Sequence, residues 1–527
     1  MATLLNVYND LRENCATTQG NEAGRYVLEE ARINHGGREY GITLYVQKIY
    51  IFEDIDKYGI TGWIEMIDVD NIVSAYINGI GSIPASTIIG QELLQLKFKT
   101  IGSEFSVDFT DHPLHIHKIE NLRTYDPGTG AVGGTALQYR IHFCAPELMN
   151  NDRIRVSQAY EDTYSEIVKD ILKNHLRTRK DVWIEETKDI HNVVIPNMHP
   201  FDAIRWITRQ CRSKKTSNIP NYNFYETTKG YRFKTMHVQA ARLTGSLDEP
   251  DSPDQQMSYT IPTGRISRNY LGEMMTATGY KFLRTGDTYE AIQKGMFASK
   301  SIQHDSYHKS YYIKATNYDR KYAPDIEALP ARAFIAERHL PYGGGTVYVP
   351  DGTKYDSQHP LIEGNSETFT EFPDSRIFFT STGSKHAYDF ADKDGVRTKD
   401  NKTDQLTTPL WHMQQSHDRY LQMQLSVWGV SGLQVGDMIA LDTPVVGTDR
   451  SPGKQFDYRW SVPYYITKLV HRVNLRADVV EYHCDLVCSA KDVMAMGRSD
   501  SLPKNGKLAG KDGKTGSMKD FSGSQER

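Results

Sequence analysis

Cysteine is scarce in this 527-residue chain: Cys15, Cys144, Cys211, Cys484 and Cys488 are an odd number with no framework spacing. That pattern excludes a disulfide scaffold and a zinc ribbon, and it predicts free thiols in a reducing compartment. Cys484 and Cys488 would share one side of a strand about 13 Å apart by the usual rise, too far for a disulfide or a common zinc. Long apolar runs are missing too. No stretch approaches the roughly 18 residues that argue for a membrane span, and MATLLNVYNDLRENC lacks a basic start followed by an apolar run. The expectation is therefore no signal peptide, no stable membrane association, and assembly in the cytoplasm. A surplus of one charge is also lacking, since 62 Lys and Arg face 66 Asp and Glu for a net −4. A surface built to neutralise many phosphates would be basic, so specific nucleic-acid binding is not expected.

Signatures of catalysis are missing as well. There is no G-x-x-x-x-G-K-[ST], no H-E-x-x-H and no G-x-S-x-G, so no catalytic, cofactor-binding or metal residue is assigned, and the protein is not expected to be an enzyme. The best metal candidate is His112, His115 and His117, with His115 and His117 on one strand face and His142 on a neighbouring strand as a further ligand; a solvated strand face explains them more simply. Asp68, Asp70 and Asn71 have the spacing of a calcium loop without its glycine at position six or its glutamate at position twelve.

What the chain has in quantity is tyrosine, 32 residues, together with alternating segments. Leu94, Leu96 and Phe98 alternate with Gln95, Lys97 and Lys99, and Leu137, Tyr139, Ile141 and Phe143 with Gln138, Arg140, His142 and Cys144. Period two with one wet face means half-buried antiparallel strands, which must curl to hide the other face. Further strands are expected at Ile42 to Phe52, Thr61 to Val69 and Pro113 to Tyr125, and late in the chain at Leu421 to Val427, Tyr464 to His471 and Tyr482 to Val487. Gly436-Asp437 makes a tight turn between the first and second of these late strands. Two helical patterns, Leu4 to Leu11 and Ala23 to Ile33, read as an N-terminal arm. Another helix is expected from about Pro409 to Leu421.

Between the alternating regions the period changes. Thr163 to Glu166 is a T-x-x-E capping box, and Tyr164, Ile167, Val168, Ile171 and Leu172 form one apolar stripe behind it. Val182 and Ile184 alternate as a short strand. Pro200 suits a first helical turn, with Phe201, Ile204, Ile207 and Cys211 as a second stripe. Asn223 to Glu226 and Tyr231 to Phe233 then flank Thr227-Thr228-Lys229-Gly230 as a hairpin.

The ordered run VSQAYEDTYSEIVKDIL, VVIPNMHPFDAIRWITRQC, NFYETTKGYRF resembles the middle domain of baseplate hub proteins of contractile-tailed phages of the T-even type, a family related to the hub part of type VI secretion spike proteins. The stretches TGWIEMID and GQELLQLKF look like that family's first tube-like barrel, the segment Tyr289 to Lys300 like its short helix and turn before a Tyr-rich strand at Tyr311 to Tyr318, and VGDMI with YYITKLVH like its second barrel.

The resemblance implies a mainly β, α+β chain with two small antiparallel tube-like β-barrels, a helix-strand-helix-hairpin middle domain and irregular insertions. Its divisions are an arm (1–40), a first barrel (41–150), the α/β middle domain (151–240), a connecting region with the short helix and Tyr-rich strand (241–330), an irregular outer insertion (331–410), a second barrel (411–496) and a flexible basic Gly/Ser/Lys tail (497–527). It implies a structural virion component of the tail baseplate, assembled in the bacterial host. There a homotrimer would meet tail-tube or tube-initiator proteins above and a central spike below, with wedge and tape-measure proteins as further neighbours. DNA would pass through the lumen without specific binding. Two other classes remain open on the residues alone: a tail-associated cell-wall hydrolase, and a receptor- or glycan-binding tail protein.

Overall fold

The computed structural model describes residues 23–35, 37–69, 88, 90–125, 136–214, 220–236, 258–261, 270–285, 287–296, 298–305, 310–317, 375–382, 401–419, 421–443, 460, 463–476, 479–490, 507–509 and 515–517. In chain order the first region holds β1 (Tyr26–His35), β2 (Arg38–Gly41), β3 (Val46–Asp54), β4 (Thr61–Asp68), β5 (Leu93–Thr100), β6 (Ser106–Asp108), β7 (Leu114–Tyr125) and β8 (Ala136–Cys144). The middle unit follows, with α1 (Pro146–Arg153), β9 (Val156–Asp162), α2 (Tyr164–Asp170) running into a π turn at Ile171–His175, β10 (Val182–Ile184), β11 (His191–Met198), α3 (Pro200–Thr208), β12 (Tyr222–Thr227) and β13 (Gly230–Thr235). The remainder has β14 (Ser258–Thr260), α4 (Tyr270–Met274), β15 (Ala277–Arg284), α5 (Thr288–Gln293), β16 (Ala298–Asp305), β17 (Ser310–Asn317), β18 (Ile377–Thr382), α6 (Asn401–Asp418), β19 (Leu421–Trp428), β20 (Met438–Asp442), β21 (Pro463–Arg476) and β22 (Val479–Ala490). Within the tail the described residues are one short antiparallel pair, β23 (Lys507–Ala509) and β24 (Thr515–Ser517).

Antiparallel sheet lies on either side of the middle unit, where two separate small barrels were expected, and the two halves are joined into one sheet. Strand β3 pairs with β21 from Lys48↔Asn474 to Asp54↔Lys468, which makes one 14-stranded sheet in the order β15-β19-β22-β21-β3-β4-β8-β7-β5-β1-β2, with β6, β20 and β14 attached at its sides. Outward from this seam both halves repeat one plan. A hairpin comes first, β3/β4 on one side and β21/β22 on the other, and then a second antiparallel pair, β8/β7 or β19/β15. The chain visits the two pairs in opposite order, seam hairpin first in the early half and last in the late one.

The sheet curls until its early end meets the late half. Tyr482 donates its amide to Gly24 O at 2.8 Å, and Thr100 donates its amide to Ser431 Oγ at 3.1 Å and its hydroxyl to Gly429 O at 3.0 Å. A single apolar core results, in which Ile49, Ile51, Ile64, Leu96, Phe98, Ile141, Leu425, Tyr482 and Leu486 are fully buried. Each such side chain contributes about 1.5–3 kcal/mol by leaving water.

The middle unit has its own core, built on both stripes read from the sequence: Tyr164, Ile167, Val168, Ile171 and Leu172 against Phe201, Ile204, Ile207 and Cys211. Its hairpin turn is tighter than the four-residue loop expected, because Thr227 pairs with Gly230. Gly230 is required there: φ is +108°, and a Cβ would stand 2.1 Å from Asp181 O. The capping box forms by half. Glu166 donates its amide to Thr163 Oγ1 at 3.4 Å, but the Thr163 amide goes to Asp162 Oδ1 at 2.6 Å and the Glu166 carboxylate to Lys169 Nζ at 3.0 Å.

Two expected helices are corrected. Ala23 to Ile33 is no helix, since Tyr26–His35 is β1; a bulge between Leu28 and Glu30 breaks the two-residue period and gave the segment its helical look. The expected Pro409 to Leu421 helix starts earlier, at Asn401, and keeps Pro409 in its interior. It lies along the middle unit, where Trp411 Nε1 donates to Tyr222 O at 3.0 Å and Arg212 Nε to Thr407 Oγ1 at 2.7 Å. The short helix and Tyr-rich strand are α5 and β17, and β17 joins β16 and β18 in a separate three-stranded sheet. The helix expected at Leu4 to Leu11 and most of the 331–410 insertion lie outside the described residues.

Candidate functional site

Along the seam the pleat divides residues by face. Ile49, Ile51 and Glu53 of β3 point with Leu469, His471 and Val473 of β21 into the core, while Lys48, Tyr50 and Phe52 point with Val470, Arg472 and Asn474 to the other side. That outer side continues without a break over both halves. Tyr50 stacks on Trp63 at 4.1 Å and the Arg140 guanidinium lies 4.5 Å from the Trp63 ring; across the seam, Trp428 stacks on His483 at 4.6 Å. Four of its basic side chains sit against acids: Arg140 with Glu65 at 3.4 Å, Lys468 with Asp54 at 3.1 Å, Arg472 with Asp485 at 3.5 Å and Lys118 with Glu120 at 2.5 Å, while Lys48 shares Glu65 at 4.0 Å and Arg123 donates to Gln138 at 2.9 Å. A wall of this kind is wet, mixed in sign and stiffened by aromatic ladders.

At one end of the seam the sheet meets the middle unit. The β3–β4 turn inserts Tyr58, whose ring stacks 5.3 Å from Phe201, and a Cβ at Gly59 would come within 2.6 Å of the Leu148 side chain, which would have to shift. Beneath it lies a closed ion cluster. Lys180 Nζ is 2.7 Å from Glu147 Oε2 and 2.5 Å from Glu226 Oε1, with side chains 6%, 6% and 1% exposed. Ile60 donates its amide to Glu226 Oε2 at 2.8 Å, which ties the turn to β12. Burial pushes the Glu226 carboxyl up, against the pull of Lys180.

The residues singled out from the sequence do not assemble into chemistry, so the candidate site is a surface and a joint. His115 and His117 lie on β7, but a bulge between Ile116 and Lys118 sets Lys118 opposite His142 and leaves His117 displaced; the His117 and His142 rings are 6.2 Å apart. His142 Nε2 lies 2.8 Å from Glu120. Among the described residues no three His, Cys, Asp or Glu are grouped to hold a metal ion. Asp68 is fully buried and accepts from the Tyr139 hydroxyl at 3.2 Å, a core role, while Asp70 and Asn71 lie outside the described residues.

A buried cysteine and histidine do meet. Cys484 Sγ is 3.6 Å from His471 Nδ1, which also lies 2.6 Å from the Tyr482 hydroxyl. Burial pushes the Cys484 thiol up to about 12 and the His471 imidazole down to about 3, so both stay neutral and no thiolate nucleophile forms. Cys144, Cys211 and Cys488 are free, buried and likewise shifted upward by burial. Maleimide will therefore label these four thiols only after denaturation. Stoichiometric labelling of any of them in the native protein, mapped by peptide mass, would overturn their assignment to the core.

Sequence reading missed the joint altogether. Glu53, Glu147, Lys180 and Glu226 carry no motif, and the one usable signal was ionisable residues at positions where the pattern asks for apolar ones.

No protein-family model and no curated protein matches the chain. Among solved structures, the prophage MuSo2 43 kDa tail protein from Shewanella oneidensis aligns over 88% of this chain and 99% of its own, at 10% identity and a TM-score of 0.44. The tail protein from Neisseria meningitidis MC58 aligns over 89% and 98%, at 9% identity and a TM-score of 0.43. An E. coli type VI secretion component, described as similar to the T4 bacteriophage tail proteins gp27 and gp5, aligns over 88% and 76%, at 9% identity and a TM-score of 0.35. The chain is similar to phage tail proteins and to a type VI secretion system component.

Proposed function

We propose that this protein is the structural hub of a contractile tail baseplate. Three copies close into a ring, and each contributes its two sheet halves as successive segments of a tube wall. Three chains with two halves each give six segments, so a threefold spike below meets a sixfold tube above. The two barrels and the division into arm, first barrel, middle domain, connecting region, insertion, second barrel and tail belong to this reading, as do the tube and spike partners and the location in the virion.

The observation that carries it is the seam. Two sheet halves with one strand plan meet edge to edge and present one uninterrupted wet face. Among the described residues most cations on that face sit against carboxylates, so phosphates passing along it would be held only weakly. A ring needs a heterologous contact whose rotation closes, and a chain already carrying two segments in series needs only three such contacts for six segments. The hub-like run of residues in the middle unit adds support, since it forms a unit with its own core at the end of the seam.

The test is the mass of the full chain, alone and with its spike partner, by native mass spectrometry and sedimentation velocity. A 60.0 kDa chain predicts three copies, about 180 kDa of this protein, in at least the spike-bound sample, where the spike's own mass is added to it. A monomer or a twofold dimer in both samples would refute the hub.

A further inference from the structure

One carboxylate at the joint has no part in the hub's ring. Glu53 is 1% exposed at the end of β3, where three separate parts of the chain converge. Its Oε1 accepts the amide of Thr228, in the turn of the middle unit's hairpin, at 2.9 Å, and its Oε2 accepts the amide of Val435, in the loop before β20, at 3.0 Å. The hairpin answers in kind, because Glu226 of β12 accepts the Ile60 amide of the β3–β4 turn. We propose that these reciprocal carboxylate-to-amide bonds form a proton-sensitive latch, with Glu53 as its titrating member, that sets how firmly the middle unit is docked on the two halves of the sheet.

The surroundings fix the direction. Facing Glu53 are Glu226, Lys229 and Arg232 from the hairpin, Asp437 from the loop that carries Val435, and Tyr482 and Cys484 from β22; its neighbour Asp54 is engaged with Lys468. Lys229 Nζ is buried with no hydrogen-bond partner among the described residues and lies 5.1 Å from the Phe105 ring, so among those residues no cation is seated on Glu53 itself. Burial pushes the Glu53 carboxyl up to about 7; the amides of Val435 and Thr228 oppose this, and Asp437 and Glu226 reinforce it. Asp437 is also pushed up, chiefly by burial.

A carboxyl raised in the docked state holds its proton more tightly there than when the latch opens and water reaches it. Docking is therefore strongest below the ordinary carboxylate value, weakens as pH rises through the docked value near 7, and levels off above it. The device acts within one chain, so it stands or falls separately from the hub reading.

Hydrogen exchange of the full chain between pH 5 and 7.5, corrected for intrinsic chemistry, reads it at peptides carrying Ile60, Thr228 and Val435, with Ile64 and Phe224 as references. The expected result is at least a tenfold rise in opening at the three latch amides and none at the references. Glu53→Gln, fixed neutral, should keep less than a third of that rise; an equal rise in the variant, or none in the native chain, would overturn the latch. Should the variant fail to fold, infrared spectroscopy of the native protein with 13C-labelled glutamate replaces it. A protonated glutamic acid band lost near pH 7 supports the proposal, and the absence of any such band above pH 6 refutes it.

Discussion

Lys180→Met will lower the stability of the middle unit by about 3–5 kcal/mol at pH 7, because removing one partner of a buried ion pair leaves uncompensated charge behind. Lys180 is the cation between Glu147 and Glu226, and all three side chains are nearly sealed from solvent. With Lys180 present, Glu147 is held below the usual carboxylate range despite its burial. Without it both carboxyls rise, so the variant's deficit is greatest where they are still forced to ionise and shrinks as they protonate. Urea midpoints followed by the tryptophans of the middle unit should differ strongly at pH 7 and much less at pH 5. Adding Glu147→Gln and Glu226→Gln to the variant should restore most of the loss. A deficit under about 1 kcal/mol at pH 7, or one that does not change with pH, would show that the cluster is solvated.

Tyr482→Ala should cost a similar amount, about 3–5 kcal/mol, by a different route. The Tyr482 ring is fully buried where the curled sheet meets itself, 5.5 Å from Phe98 at 90° and 6.3 Å from Tyr26 at 74°. Its fit is close on the remaining side, since a Cβ at Gly429 would fall 2.1 Å from the ring. Truncation opens a cavity and also takes the hydroxyl from His471 Nδ1, leaving only the Cys484 thiol at 3.6 Å beside it. Tyr482→Phe keeps the volume and should cost only about 1–2 kcal/mol, the penalty of losing the hydroxyl's hydrogen bond to the imidazole. Thermal unfolding of both variants gives the ratio, and equal effects would mean that the hydroxyl, not the ring, dominates. His471 adds a pH signature. Burial holds it at about 3, so the stability from its neutral form is present above its ordinary value of 6.5 and is lost as pH falls toward 3. Tyr482→Ala wets the site and should flatten that acid limb.

Much of this architecture could be read from residue order. The two stripes of the middle unit became its core, Pro200 opens α3 as expected, and Gly436 sits at a φ of +86° in the turn before β20. The strands at Leu93–Thr100 and Ala136–Cys144 showed themselves because one face of each is wet. Strand β15 escaped notice because its burial does not alternate cleanly and two bulges interrupt its pairing with β19. The seam was illegible for a deeper reason. Periodicity reports which face of a strand is buried and is silent on which edge it offers, so nothing in Lys48 to Asp54 announces a partner at Lys468 to Asn474. The joint shares that difficulty, since Glu53 and Glu226 are recognisable only once distant segments are seen to donate amides to them.

The opposite order in which the chain visits its two strand pairs bears on biosynthesis. Strand β3 leaves the ribosome early and waits for β21, roughly 400 residues downstream, to cover its open edge. At about 5–20 residues per second that delay lasts on the order of 20–80 s. The middle unit is contiguous and can condense during translation, yet the unpaired edge of β3 stays available to other nascent chains throughout. Slow, aggregation-exposed maturation is thus written into the topology, and coexpressed chaperones should raise the soluble yield more than any surface mutation.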